Sequence, residues 1–316
     1  MTLATVARLA CVSVSTASRA LNNDYGISPE TRQKVLDAAE ACGYFREKKR
    51  IRDGNSRTRF RVAVLCPEIE STFYSVIAAE ISHKLKARGA ECLIYNYDFD
   101  APAREELLAR CMTDVSIDAV ICFAELDEPS KVPDKPVIAF GGAACYGYLH
   151  FDTAAILEQA VAHLLSHGCR RLAFAGEPLV KSKEDLFIKA LQNKALSPAA
   201  CFAGQYRFEE AGRFAARTLL TLQDRPDGVV CAYDEIAFGL IDELRKNGLR
   251  VPENVCVVGI NDVPAARYCF GGVSTVGYEL DQPLTEMTND LLVFAETGRY
   301  VPKEYPVPLY LACRNT

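Results

Sequence analysis

Residues 2–22 read TLATVARLACVSVSTASRALN, and this stretch decides how the chain begins to fold. Leu3, Val6 and Ala10 recur at helical spacing, and Thr2 can cap the helix that they define. A tight turn follows at residues 11–13, and Ser13 can cap a second helix that is expected from residue 14 to residue 21. The stretch therefore predicts two short helices joined by a tight turn.

A third helix is predicted after a loop at residues 22–26. Ser28-Pro29-Glu30 combines a capping side chain, a proline and an acid in the first helical turn. The apolar face of this helix consists of Val35, Leu36, Ala39 and Cys42. The second helix, by contrast, carries small and polar side chains, so it can enter the major groove of DNA.

A basic linker is predicted after the three helices, because apolar residues nearly vanish between residues 45 and 61. Residues 1–61 carry 12 Lys and Arg against 6 Asp and Glu, whereas the whole chain has a net charge of −5. This asymmetry predicts that the amino-terminal segment meets a polyanion. Composition alone fits a solvated surface equally well.

From residue 62 onward, short apolar runs alternate with amphipathic stretches. Such alternation predicts parallel sheets with right-handed crossovers, and its two rounds predict two α/β subdomains. Strands are expected at residues 62–66, 92–95, 119–123, 137–140, 171–175, 228–232 and 255–260. Helices are expected at residues 73–88, 104–112, 154–166, 185–194, 208–222 and 235–247.

Composition and missing motifs exclude several classes of protein. The 13 cysteines are scattered among 316 residues without a CxxC pair, which indicates a reduced cytoplasm. No signal region, membrane-length apolar run, phosphate loop or G-x-S-x-G elbow occurs. His163 and His167 have i, i+4 spacing but lack the glutamate of H-E-x-x-H, so a solvated helix face is expected. We therefore predict a cytoplasmic protein with no cofactor, metal or catalytic residue.

The first three helices resemble the DNA-binding headpiece of the LacI–GalR family of bacterial transcription repressors. The likeness continues in GCRRLAFAGE, PDGVVCAYDEIAFG and RVPENVCVVGINDVPAARY, and it covers nearly the whole chain. It implies an all-α helix-turn-helix headpiece at residues 1–45, a linker at 46–61 and a core at 62–316. That core would have a periplasmic-binding-protein type I fold with two doubly wound parallel-sheet subdomains, comprising residues 62–150 with 277–301 and residues 151–276 with 302–316.

The second helix carries the expected DNA contacts. Ser15, Ser18 and Arg19 share one helix face, and an arginine can bind guanine with two hydrogen bonds. The resemblance places the variable base-contacting pair of the family on Val14 and Ser15. The predicted DNA-binding residues are Thr2, Val14, Ser15, Thr16, Ser18, Arg19, Asn22, Lys48, Lys49 and Arg50.

The linker departs from the family pattern. Members usually carry Pro-Asn…Ala-Arg-x-Leu here, and its leucine wedges into the minor groove. Residues 45–53 read FREKKRIRD instead, and Ile51, the one apolar side chain besides Phe45, is out of register. We expect a flexible tether whose cations contact phosphates, with little kinking of the operator.

The effector site also departs from the sugar-responsive members. Gly141 and Asn261 stand where the family pattern has aspartates, and Lys183 stands for an arginine. Tyr233 replaces an asparagine and Tyr278 replaces a glutamine. The predicted effector-binding residues are Phe73, Tyr74, Lys183, Tyr206, Tyr233, Asp234, Asn261 and Tyr278. With Gly141 and Asn261 in place of two aspartates, the site carries less negative charge, which favours an acidic ligand over a neutral hexose. A carboxylate of Asp234 that faced the ligand would oppose this preference.

The resemblance implies a homodimeric repressor that binds a double-stranded DNA operator and a small effector, a sugar or sugar derivative, in the core cleft. One alternative is a small-molecule binding or transport protein, for which a headpiece has no use. Another is a constitutive DNA binder with a degenerate effector site. A third is an enzyme on the same two-subdomain fold, which only turnover of a substrate would support.

Overall fold

The computed structural model describes residues 3–21, 27–42, 44, 59–127, 135–141 and 147–316. By contacts, the chain divides into two compact units. The first comprises Met1–Phe151 and Leu280–Pro306, and the second comprises Asp152–Glu279 and Val307–Thr316. No helix in these described ranges is long and apolar enough to cross a membrane.

Three helices form the headpiece, as predicted: α1 (Leu3–Leu9), α2 (Val14–Leu21) and α3 (Pro29–Ala41). Small buried residues from all three helices make its core, among them Val6, Ala17 and Val35. Ser13 Oγ accepts a hydrogen bond from the Thr16 N–H at 3.0 Å and caps α2. Ser28 Oγ caps α3 in the same way through the Thr31 N–H at 3.2 Å. Both caps were predicted from the sequence.

The remainder of the first unit is built on a six-stranded sheet with the order β11-β5-β4-β3-β1-β2, in which all paired strands are parallel. Residues 62–66 of β1 are fully buried, which is why they form a continuous apolar run. The strands are β1 (Arg61–Cys66), β2 (Glu91–Asn96), β3 (Ala119–Cys122), β4 (Val137–Ala139), β5 (Gly147–His150) and β11 (Glu304–Pro306). The helices are α4 (Thr72–Lys86), α5 (Ala101–Thr113) and α10 (Asp281–Thr297).

The second unit repeats this arrangement with the order β12-β10-β9-β8-β6-β7. Its strands are parallel except β12, which pairs antiparallel with β10. The strands are β6 (Leu172–Gly176), β7 (Ala200–Ala203), β8 (Gly228–Cys231), β9 (Cys256–Asn261), β10 (Ser274–Tyr278) and β12 (Leu309–Ala312). The helices are α6 (Thr153–Ser166), α7 (Lys181–Gln192), α8 (Phe208–Leu220) and α9 (Asp234–Lys246).

The crossings between the units differ from the predicted positions. β10 pairs with β9 in the second sheet, so the chain leaves that unit after Glu279 rather than after residue 276. β11 pairs with β5 in the first sheet, so the final crossing follows Pro306 rather than residue 301. The local sequence of such short strands does not indicate which sheet they join. Their sheet is determined by hydrogen-bonded pairing with strands that are distant in the sequence.

Candidate functional site

The exposed face of α2 is the candidate DNA-contacting surface. Val14, Ser15 and Arg19 are exposed, and Val14 keeps 48% of its surface accessible. Ala17 and Ala20 are buried and hold the opposite face against the headpiece core. A short helix with one anchored face and one exposed face of small side chains has the shape that the major groove admits.

Thr16 and Ser18 are only partly exposed. The Thr16 hydroxyl lies 2.8 Å from Ser13 Oγ, so this predicted DNA-binding side chain also takes part in the cap of α2. Five other predicted DNA contacts, namely Thr2, Asn22, Lys48, Lys49 and Arg50, lie outside the described residues.

In the second unit, strands β6 to β10 run parallel, so their carboxyl ends meet at one edge of the sheet. Open α/β sheets bind ligands at this edge. Tyr233 lies two residues after the end of β8, whereas Asn261 and Tyr278 end β9 and β10. Tyr206 lies in the loop between β7 and α8, where 48% of its surface is exposed. Four of the predicted effector residues are thus placed at the carboxyl edge of the second sheet.

Lys183, on α7, reaches the same edge. Its Nζ donates a hydrogen bond to the Ala232 carbonyl oxygen at 2.8 Å and lies 5.9 Å from the centroid of the Tyr233 ring. Burial lowers the pKa of Lys183 to about 8, although the negative charges of Asp234, Glu235 and Glu177 oppose that shift. Lys183 and Tyr233 therefore lie next to each other, and the ammonium group of Lys183 is only partly solvated.

Asp234 does not line this site, which corrects the prediction. The residue is fully buried, and its carboxylate accepts hydrogen bonds from Thr275 Oγ1 at 2.6 Å and from the Val263 N–H at 2.8 Å. Burial raises the pKa of Asp234 to about 8. This carboxyl group joins the start of α9 to β10 and to the loop after β9, so its role is structural.

An ion pair between the buried Glu177 and the partly exposed Arg207 lies at this edge, and the sequence analysis missed it. Glu177 follows β6 and is 3% exposed, and Arg207 Nε lies 3.3 Å from both of its carboxylate oxygens. Burial, and then the Glu177 carboxylate, raise the pKa of the Tyr233 phenol. The available signal was the acid that directly follows the apolar run in GCRRLAFAGE, since residues at that position face the carboxyl edge.

Phe73 and Tyr74 begin α4 in the first unit and belong to an aromatic cluster. Their ring centroids are 5.2 Å apart, and the Tyr74 ring stacks on Phe123 at 6.2 Å. Phe123 in turn stacks on Phe140 at 4.3 Å. The aromatic cluster consists of Phe73, Tyr74, Phe99, Phe123, Phe140 and Phe151. These rings therefore pack against one another as well as presenting an apolar surface.

Gly141 has a backbone reason to be glycine. Its φ of +102° is unfavourable for any side chain, and an added Cβ would lie 3.1 Å from Glu125 Cγ. The aspartate that the family pattern places here would be strained in this backbone conformation.

Of the two histidines, His163 on α6 does not lie on the solvated face that was expected, whereas His167, which follows α6, is exposed. His163 is buried, its ring centroid is 4.4 Å from that of His167, and its Nδ1 lies 3.9 Å from Cys313 Sγ. Burial, together with His167, lowers the pKa of His163. Among the residues with described positions, no group of three or more His, Cys, Asp or Glu could hold a metal ion.

Comparisons with known proteins agree with this architecture. Residues 2–47 match the family described as "Bacterial regulatory proteins, lacI family", and residues 161–291 match the "Periplasmic binding protein-like domain". The HTH-type transcriptional regulator GntR of Pseudomonas aeruginosa is 29% identical over 293 residues, which cover 87% of this chain and 83% of that protein.

Two solved structures are similar along the whole chain. The Lac repressor dimer bound to operator and the anti-inducer ONPF has a TM-score of 0.70 at 21% identity, with 100% of this chain and 98% of that chain covered. The transcriptional regulator CelR in complex with cellobiose has a TM-score of 0.66 at 22% identity, with 100% and 99% covered.

A helix-turn-helix headpiece followed by two parallel α/β units defines a DNA-binding regulator with a core of the ligand-binding type. The chain combines a DNA-binding domain of the lacI family with a periplasmic binding protein-like domain, and it is similar along most of its length to curated transcription regulators. It is therefore a DNA-binding transcription regulator with a core of the ligand-binding type, rather than an enzyme.

Proposed function

We propose that the chain acts as a homodimeric repressor whose operator affinity is set by a sugar or sugar derivative. The observation that carries the DNA-binding role is the exposed face of α2, with Val14, Ser15 and Arg19 together opposite a buried alanine face. Homodimerisation is supported by the likeness to the Lac repressor dimer. A dimer would place two headpieces on the two halves of a pseudo-palindromic operator.

Within each headpiece, Arg19 reads a guanine, and Val14 and Ser15 contact neighbouring base edges. Thr16 and Ser18 hold phosphates, and the linker cations Lys48, Lys49 and Arg50 add further phosphate contacts. Phosphate contacts position the protein without sequence information, whereas contacts to base edges discriminate between sites.

The test is to select operator sequences from random DNA with the full-length protein and then to measure Arg19→Ala. The variant should lose about 1–3 kcal/mol of binding free energy at the selected site and less on random DNA. Arg250→Ala, at an exposed arginine of the second unit, is the control and should leave both affinities unchanged. Equal losses on both kinds of DNA would remove Arg19 from a base-reading role.

For the effector, we infer a ligand that bears an acidic group, such as a sugar acid or a sugar phosphate. Asp234 is spent on structural hydrogen bonds, and the charge of Glu177 is balanced by Arg207. Lys183 then offers a positive charge at the carboxyl edge of the second sheet, and Glu235 is the carboxylate that still opposes it. Tyr206, Tyr233, Asn261 and Tyr278 would supply hydrogen bonds and stacking surface there. The effector role of Phe73 and Tyr74 stays a prediction.

Calorimetry with neutral hexoses, sugar acids and sugar phosphates tests this ligand class. An acidic ligand should bind more tightly than its neutral parent, and Lys183→Ala should abolish that difference. Lys189→Ala, at an exposed lysine on the same helix, is the matched control. Tight binding of a plain hexose that survives Lys183→Ala would contradict the acidic ligand.

A constitutive DNA binder is the second candidate, and the mutual packing of the aromatic cluster favours it. Under that alternative, no sugar or sugar derivative would change the operator affinity of the wild-type protein. Selective operator binding with no ligand response would support this candidate over the regulated repressor.

A further inference from the structure

A cavity of about 560 Å³ lies in the first unit, at the amino ends of β1 and β2. Arg59 and Phe60, which precede β1, form one wall, and the turn before β2 forms another. The third wall is the carboxyl-terminal half of α10, with Asn289, Leu292, Val293, Ala295 and Glu296. Since β1 and β2 are parallel, the cavity is at the opposite edge of the sheet from Phe73 and Tyr74. It is therefore separate from the candidate effector residues of this unit.

The charge balance at the cavity is positive. Glu91, beside it, already pairs with Arg61 at 2.7 Å, while Arg59 approaches the same carboxylate at 3.4 Å. Arg88 also lines the cavity, and its guanidinium has no ion-pair partner within the described parts of the chain. Glu296 is the one carboxylate in the lining. An anion here would meet two guanidinium groups for a single opposing charge.

The rest of the lining offers apolar surface and one unsatisfied amide. Phe60, Leu292 and Val293 present apolar side chains, and Val293 is 49% exposed. Asn289 Oδ1 is buried and has no hydrogen-bond partner among the described atoms. A buried polar atom that lacks a partner costs free energy, so a group that satisfied this amide would be favoured.

We propose that this cavity binds a small amphipathic anion, with a carboxylate or phosphate head and a short apolar chain or ring. Arg88 takes the anionic head by charge-assisted hydrogen bonds, and Phe60, Leu292 and Val293 cover the apolar part. The volume lies within the range of small-molecule sites in proteins, roughly 300–1,000 Å³. Arg59 and Phe60 lie at the end of the predicted linker of residues 46–61, directly before β1, so an occupant restrains the point where the linker enters the core.

Binding of hexanoate, hexyl phosphate and hexanol to the full-length protein tests the proposal by calorimetry or ligand-detected NMR. Both anions should bind at least about 10-fold more tightly than hexanol, because a hydrogen bond to a charged group is worth more than a neutral one. Comparison of the two anions identifies the preferred head group. Arg88→Met should weaken the better anion about 10-fold, and Ala295→Leu, which fills the cavity, should weaken both.

Two controls isolate the cavity. Arg250→Met removes an exposed arginine of the second unit, and Lys183→Ala alters the candidate effector site. Neither should change the affinity for the anions, so this test stands apart from that of the effector. Arg88→Lys, which retains the charge, should bind within a few-fold of wild type and guards against a folding defect in Arg88→Met.

Equal binding of hexanoate and hexanol would overturn the proposal. Unchanged affinity in a folded Arg88→Met or Ala295→Leu variant would do the same, as would loss of binding in Lys183→Ala.

Discussion

Val14 is an apolar side chain exposed at the first position of α2, on the face that carries Ser15. A solvent-facing isopropyl group gains nothing from water, but the C5-methyl group of thymine offers it an apolar partner in the major groove. At the residue scale, we therefore expect Val14 to distinguish thymine from bases that lack this methyl group.

Replacement of single thymines by deoxyuridine in the selected operator tests this role. At one position per half-site, wild type should lose about 0.8 kcal/mol, the worth of one buried methyl-sized group and roughly a four-fold change in affinity. Val14→Ala should bind the two operators equally, whereas Ser15→Ala should keep the difference. A thymine preference that persists in Val14→Ala would assign the contact to another side chain.

Asp234 makes the stability of the second unit depend on pH. Its folded pKa is raised from 3.8 to about 8, so between these values the native state holds a proton that the unfolded chain has lost. The unfolded state then binds fewer protons, and the contribution of Asp234 to the free energy of unfolding falls as pH rises from about 4 to about 8.

Asp234→Asn removes this titration, because its amide can still accept from the Val263 N–H and donate to Thr275 Oγ1. Urea unfolding of both proteins between pH 5 and pH 8.5 should show the variant gaining relative to wild type as pH rises. Asp234→Ala should cost about 1–3 kcal/mol at every pH, since it leaves a buried hydroxyl and N–H unpaired. A pH-independent difference between wild type and Asp234→Asn would show that Asp234 keeps an ordinary pKa.

At the scale of elements, α8 and α9 approach each other through glycines. A Cβ added at Gly239 would lie 1.8 Å from the Glu209 carbonyl oxygen, and one at Gly212 would lie 2.0 Å from the Ile236 carbonyl oxygen. Both obstacles are backbone atoms, so a rotamer change cannot relieve them. Arg217 also bridges the pair through Glu243 at 3.2 Å.

Gly239→Ala should therefore destabilise the protein by about 1–3 kcal/mol or more, as overpacking does, even though alanine has the higher helix propensity. Gly248→Ala is the comparison, since a Cβ there meets open space and only its φ of +80° opposes the change. Denaturant titration should rank Gly239→Ala as the more harmful variant. The opposite ranking would indicate that the two helices separate easily.

At the scale of the whole molecule, we expect the uneven distribution of charge along the chain to determine which part of it is attracted to DNA. Residues 1–61 are basic and the remaining residues hold 24 Lys and Arg against 35 Asp and Glu, so attraction to DNA is concentrated in the headpiece and linker. Replacement of Lys48, Lys49 and Arg50 by glutamine should lower the salt dependence of operator binding by roughly one unit of slope for each lost phosphate contact.

Glutamine at Lys189, Lys194 and Arg250, three exposed cations of the second unit, is the matched control and should leave the slope unchanged. A circular-permutation gel shift checks the related expectation that the operator is only weakly kinked. A sharp kink at its centre would contradict the tether and favour a wedging side chain in the linker.

The sequence by itself determined many of the local elements and the resemblance to lacI-family regulators, but it predicted neither α10 nor the strands β5, β7, β10, β11 and β12. Ser13 and Ser28 indicated the starts of α2 and α3 in the sequence. A helix cap can be predicted in this way because it depends only on residues a few positions apart. Buried parallel strands such as β1 were predicted from continuous apolar runs in the sequence. The headpiece and the other stretches that carry the resemblance are short segments of the sequence. The class of protein could therefore be predicted from local sequence patterns alone.

Only the tertiary structure decided which polar residues face a ligand edge and which are structural. Asp234 and Glu177 both follow apolar strands, yet Asp234 is spent on Thr275 and Val263, whereas Glu177 meets Arg207 beside Tyr233. Their partners come from distant parts of the chain, and no local pattern specifies them. The sheets to which β10 and β11 belong were decided in the same way, because strand pairing is a long-range interaction and sequence periodicity reports only the near neighbours of each residue.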